Sequence, residues 1–166
     1  MSRHLIAVVA AGLFLVSAAC TTPSGDTQST RSVVGVWRLL SFDTQLDGGP
    51  QSPYWVKPEG HLVITPTRLM TVLTAGDRKQ PPNLMDSEPM AAAYKTVIAY
   101  DGRYRIEGDR LITTVDESAI PAWKGSEQGR IIKFDGDHLV LTTVPAPFVG
   151  DPSKTIVARL VWERAD

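Results

Sequence analysis

RYRIEGDRLITTVDE (Arg103–Glu117) and QGRIIKFDGDHLVLTTV (Gln128–Val144) are two versions of one device. Each sets a run of β-formers on either side of a Gly-Asp pair, Gly108-Asp109 in the first and Gly136-Asp137 in the second. Glycine supplies the positive φ of a tight turn, and the flanking runs change side at every residue, so both read as antiparallel hairpins. Outward from them, Gly60–Thr65 (GHLVIT) and Arg68–Ala75 (RLMTVLTA) join across Pro66-Thr67. Val34–Asp43 alternates in the same way, and Thr155–Arg164 (TIVARLVWER) completes the set. With Arg103–Glu107, Arg110–Glu117, Gln128–Asp135 and His138–Val144, the pattern predicts eight strands. Eight is the number at which a sheet closes with room for a small ligand. The expected fold class is therefore all-β, an eight-stranded antiparallel barrel.

One stretch departs from the strand pattern. Ser87–Ala99 (SEPMAAAYKTVIA) has a capping serine, Pro89 in the first turn and three alanines. Met90, Tyr94, Val97 and Ile98 follow at helical spacing as one apolar stripe, so a helix is expected between strands three and four. Gly76–Asp86, with Pro81-Pro82, is a long loop leading into it, of a kind often found as a lid.

Composition removes several functions. The chain has 166 residues, 43% hydrophobic and 21% charged, with 17 Lys+Arg against 18 Asp+Glu. That length suits one domain, and the balanced charge argues against nucleic-acid binding, which needs clustered basic residues. A single cysteine excludes an internal disulfide. His61 and His138 each begin a strand beside a turn, without neighbours at metal-ligand spacing, so no metal is expected. No Gly-X-Ser-X-Gly elbow, Walker loop or dinucleotide fingerprint is present, so no cofactor is expected either.

Residues 1–19 read as a signal peptide: Arg3, then the uncharged apolar run Leu5–Val16, then Ser17-Ala18-Ala19. The run is shorter than the roughly 20 residues that a membrane span needs. Cys20 follows at the cut position, which resembles the bacterial lipobox, with Ser17 standing where that motif usually has an aliphatic residue. The resemblance implies a diacylglycerol on Cys20, and Thr21 after it is similar to the outer-membrane sorting pattern. The alternative is a plain signal peptide that leaves Cys20 as a free thiol. Residues 20–32 contain no large apolar side chain and read as a lipidated tether, leaving 33–166 as the barrel domain.

Gly35-Val36-Trp37 resembles the Gly-X-Trp signature of lipocalins on strand one. The last strand supplies Arg159 and Arg164, and lipocalins use an arginine there to cover that tryptophan. GVWRLLSF (Gly35–Phe42), AYDGRYRIEGDRL (Ala99–Leu111), IPAWKGSEQGRIIKFDGDHLVLTT (Ile120–Thr143) and LVWERA (Leu160–Ala165) are more specifically similar to the bacterial lipocalin-like domain family. The resemblance implies the lipocalin-like barrel, with Trp37 plugging its closed end.

Alternation assigns the interior. Lys133 facing water turns Gln128, Arg130, Ile132 and Phe134 inward, while Tyr104 shares a face with Ile106, and Leu139 and Leu141 share another. Such a cavity, apolar but for Tyr104 and Arg130, suits a small hydrophobic ligand with one oxygenated or anionic end. Arg130 needs a carboxylate, from Glu117 or Asp116 on the adjacent strand or from the ligand. Glu117, sharing a face with Leu111, Thr113 and Val115, is a plausible cross-strand partner.

Trp123 either hangs over the mouth or packs its loop on the rim, and Tyr54-Trp55 is a second candidate for the mouth. Trp162 reads as core or barrel seam. The preferred function is an envelope-anchored carrier of a small hydrophobic molecule, held to the membrane through Cys20. One alternative is a cofactor-independent isomerase, cyclase or dehydratase, with Glu117 as base, Arg130 as oxyanion stabiliser and Tyr104 beside them. The other is a filled barrel with a structural or protein-contact role.

Overall fold

The computed structural model describes residues 31–79, 82–83, 85–148 and 150–165. The expected signal peptide, and all of the expected tether except Arg31 and Ser32, lie outside the described residues.

Among the described residues, ten strands form one antiparallel sheet. They are β1 (Gly35–Leu46), β2 (Ser52–Pro53), β3 (Pro58–Ile64), β4 (Arg68–Ala75), β5 (Val97–Glu107), β6 (Arg110–Ser118), β7 (Glu127–Asp135), β8 (His138–Thr143), β9 (Ala146–Phe148) and β10 (Asp151–Arg164). The order β1-β3-β4-β5-β6-β7-β8-β10 returns to its start, because β10 also pairs with β1 from Trp37↔Arg164 to Leu46↔Ile156. Eight strands thus close a barrel, with β2 and β9 as short additions to β1 and β10. Closure leaves the long strands without a free edge.

The two barrel ends differ in their connections. At one end the links are tight: Gly108-Asp109, Gly136-Asp137 and Thr65–Arg68, whose backbone bond spans 2.9 Å. Gly108 and Gly136 have φ of 61° and 55°, as the hairpin reading required. At the other end the links are long. They carry β2, the helix α1 (Ser87–Tyr94), a 3₁₀ turn (Pro121–Trp123) and β9.

The tight end is sealed. Trp37 is 1% exposed and donates its indole N–H to Val33 O at 2.8 Å. The Arg164 guanidinium lies 4.5 Å from the Trp37 ring centre and donates to Ser32 O and Val34 O. Any Cβ on Gly35 would collide with Arg164 Nη1, so the glycine before the tryptophan makes room for the arginine that covers it. Arg159 does not share this role; it pairs in register with Asp43 and Thr142, on the face opposite the buried Ala158 and Leu160.

The helix is shorter than the sequence pattern predicts. It stops at Tyr94, and with the short β2 counted it falls between β4 and β5 rather than between strands three and four. Thr96, Val97 and Ile98 are β-branched and lose side-chain freedom in a helix. As strand residues, Val97 and Ile98 pair with Thr74 and Leu73. The expected four-residue stripe is therefore split. Met90 and Tyr94 stay on a helix with no buried residue, while Val97 and Ile98 become barrel wall. Asp86, not Ser87, is the N-cap.

Two bulges reset the alternation. In β1, register shifts between Leu39 and Ser41, so the inward set changes from Trp37 and Leu39 to Phe42 and Thr44, leaving Leu40 partly exposed. Between β5 and β6, Gly102 pairs with Val115 but Asp101 with Glu117, so Asp116 is the extra residue. Gly102 allows this approach, since a Cβ there would meet Thr114 O.

Candidate functional site

The barrel interior is open. A cavity of about 730 Å³ runs from the long-loop end towards the sealed one. Its deep part is walled by Leu62, Leu69, Leu160 and Trp162, and its sides by Phe42, Tyr54, Leu73 and Leu141. Around the mouth stand Tyr94, Trp123 and Phe148, from three of the four long links. The walls follow from strand periodicity: inward residues alternate on β4 (Leu69, Thr71, Leu73) and on β10 (Ala158, Leu160, Trp162).

Polar groups on this surface are few, and most are already engaged. Thr71 donates to His61 O at 3.0 Å, and Thr143 Oγ1 accepts from Ala158 N at 2.8 Å. Gln128 Nε2 donates to Ser126 Oγ at 3.1 Å. Glu127, at the rim, is held by Arg105 through two bonds of 2.6 and 3.2 Å, which pull its carboxyl below the usual glutamate range. Burial pushes the Tyr54 phenol above its ordinary value. Two buried groups have no hydrogen-bond partner among the described residues: Thr113 Oγ1 and Trp162 Nε1.

Arg130 is the exception. It pairs in register with Leu111 and Thr143 and lines the cavity. Its Nη1 donates to Gly129 O at 2.9 Å, and among the described residues no carboxylate lies within salt-bridge distance. The expected pair with Glu117 does not form. The extra residue Asp116 turns Glu117 to the outer face, where Lys124 Nζ meets it at 2.6 Å and its side chain is 72% exposed. Asp116 is taken by Arg68 at 2.7 Å.

The other expected site residues are distributed as follows. Leu141 and Trp123 line the cavity, and Trp123 also packs edge-on against Tyr100 at 5.7 Å, so it both braces the rim and faces the opening. Ile132 and Phe134 point inward but pack into the core outside the cavity, Phe134 at 6.3 Å from Trp37. Trp55 stands edge-on to Phe42 at 5.5 Å, behind the cavity wall that Phe42 and Tyr54 form. Tyr104 packs on the core, and its hydroxyl donates to Thr65 O at 2.8 Å, in the turn at the sealed end. Burial raises its phenol pKa. Ile106 is 48% exposed. The set Glu117, Tyr104 and Arg130 is thus spread over an outer face, the sealed end and the cavity.

Several wall residues escaped the sequence reading. Ile98 is hidden by extending the helix to Ala99, Tyr100 by starting the next strand only at Arg103, and Phe148 by the absence of any strand pattern in its link. The β4 wall, Leu69-X-Thr71-X-Leu73, was available from alternation alone. Among the described residues, no three of His, Cys, Asp and Glu stand together as a metal site.

The geometry defines a class first: a closed antiparallel barrel with one sealed end, one loop-rimmed mouth and a ligand-sized interior. A family model described as a lipocalin-like domain matches residues 34–165, and the chain belongs to that family. No curated protein and no solved structure matches it.

Proposed function

We propose that the protein binds and carries a small hydrophobic molecule inside the barrel. The observation that carries this reading is the cavity of about 730 Å³, walled mainly by leucines and aromatic rings. Small-molecule sites measure about 300–1,000 Å³ and are chiefly apolar with a few placed polar groups. A barrel serving only as a structural element would fill that space with side chains, because close packing is the ordinary state of a protein interior. Native mass spectrometry of protein purified from its own host tests the reading. The expected result is a retained apolar ligand, released on unfolding. Protein that is ligand-free, and that fails to bind any apolar fluorophore, refutes it.

The same proposal puts the carrier in the bacterial envelope, anchored to the outer membrane through lipid on Cys20. Its support is the sequence alone: the apolar run Leu5–Val16 and the small residues Ser17-Ala18-Ala19 before Cys20. Cys20→Ser is expected to move the protein from the detergent phase to the aqueous phase in a detergent partition of whole cells. Unchanged partitioning refutes the anchor and leaves the cavity reading intact.

A further inference from the structure

We propose that Arg130 seats the acidic head of the ligand, so that the cavity selects an amphiphile with one carboxylate-like end and an apolar tail. This rests on the cavity reading above and narrows it to a chemical class. An arginine stays charged at any physiological pH and carries five N–H donors. Arg130 spends one bond on its neighbour's carbonyl, Gly129 O. Each nearby acid is engaged elsewhere: Glu117 with Lys124, Asp101 and Asp116 with Arg68, and Glu127 with Arg105. A partly buried cation in an apolar surround costs free energy until an anion meets it. The planar guanidinium matches the two oxygens of a carboxylate in a forked pair.

The placement of Arg130 sets the shape of the ligand. It is the third residue beyond Glu127 at the mouth end of β7, so a head group there stays close to the opening. Lys95, on the cavity lining just past the helix, adds a second cation near the entrance. Towards the sealed end, the deepest lining residue, Trp162, pairs with Leu139 and so is level with Phe134, four residues beyond Arg130 on β7, about 13 Å of strand at ~3.3 Å per residue. Over that depth the cavity presents Leu141, Leu160, Leu62, Leu69 and Trp162, with no charged side chain. The result is a polar contact near the mouth and a greasy shaft beneath it.

The test uses the full chain and three probes: the neutral fluorophore N-phenylnaphthylamine, and dodecanoate and dodecanol as its competitors. The two competitors share one tail and differ in head charge. Hydrogen bonds to a charged group are worth enough to favour dodecanoate by about 10- to 100-fold. Arg130→Gln and Arg130→Met are each expected to bring that ratio below about 2-fold while dodecanol affinity holds. Retained dodecanol binding shows that the variant barrel is folded. Equal affinity for the two competitors in the parent, or a preference that survives both substitutions, overturns the role of Arg130 and leaves the cavity reading standing. Loss of dodecanol binding in both variants also counts against it, since the arginine would then support the wall and not the head group. Failure of the parent to bind the fluorophore or either competitor overturns both readings together.

Discussion

Leu139 and Leu141 sit two residues apart on β8 and point the same way, yet one meets packed side chains and the other meets open space. Leu139 is 0% exposed, pairs in register with Phe134 and Trp162, and lies outside the cavity. Leu141 is 4% exposed and lines it. Truncating either to alanine removes three carbons, an apolar transfer loss of about 2.4 kcal/mol at ~0.8 kcal/mol per carbon. Around Leu139 the neighbours are fixed by the sealed end, so the deleted volume stays as a new void, at ~24 cal/mol per Å³. Leu139→Ala is therefore expected near the top of the usual range, about 4–5 kcal/mol. For Leu141 the deleted volume merges with space already open to the mouth, and the cost stays near the transfer loss, about 2–3 kcal/mol. Urea unfolding followed by tryptophan fluorescence reads the difference. With a slope of about 2 kcal/mol/M, the two midpoints separate by about 1 M. Equal losses, or a larger loss at Leu141, would mean that the interior is packed, and the carrier reading would fall with it.

Trp37→Phe breaks the bond from its indole N–H to Val33 O and is expected to cost about 1–2 kcal/mol or more. Trp162→Phe removes an N–H that has no partner among the described residues, and its thermal melting point should fall by less than that of Trp37→Phe; the reverse order would contradict the hydrogen-bond assignment. Gly102→Ala drives a Cβ into Thr114 O at the bulge and should destabilise more than Gly108→Ala, where φ is 61° but the space is empty and the cost is about 1–2 kcal/mol. Glu127, with its carboxyl held low by Arg105, contributes stability above the ordinary glutamate pKa and loses it as pH falls through the depressed folded value. Glu127→Gln should thus weaken the protein at neutral pH and match the parent in strong acid, in urea titrations across that range; a gap that widens on acidification would reverse the sign.

The barrel was legible because its strands alternate and its tight turns carry glycine at positive φ, two signals that lie within a few residues of each other. What escaped was every place where alternation changes phase. Asp116 is one residue, but it moves Glu117 from the predicted inner face to the outer one, and with it goes the simplest partner for Arg130. Nothing in the order Thr113-Thr114-Val115-Asp116-Glu117 marks the extra residue, since its cause is the close approach of Gly102 on the facing strand. The helix boundary failed for a related reason: Val97 and Ile98 suit the stripe of a helix and the wall of a barrel equally well, and strand pairing with Thr74 and Leu73 decides between them. The site therefore takes its character from a non-local event. A bulge on the strand beside β7 withdraws a carboxylate from the inner face, and Arg130, near the mouth, is left lining the cavity with no carboxylate partner among the described residues. Restoring a carboxylate at Thr113, which faces Gln128 in register beside Arg130, should supply that partner from within, so Thr113→Glu is expected to lower dodecanoate affinity while dodecanol binds as before. An unchanged preference for the acid in that variant would break the link between the bulge and the binding site.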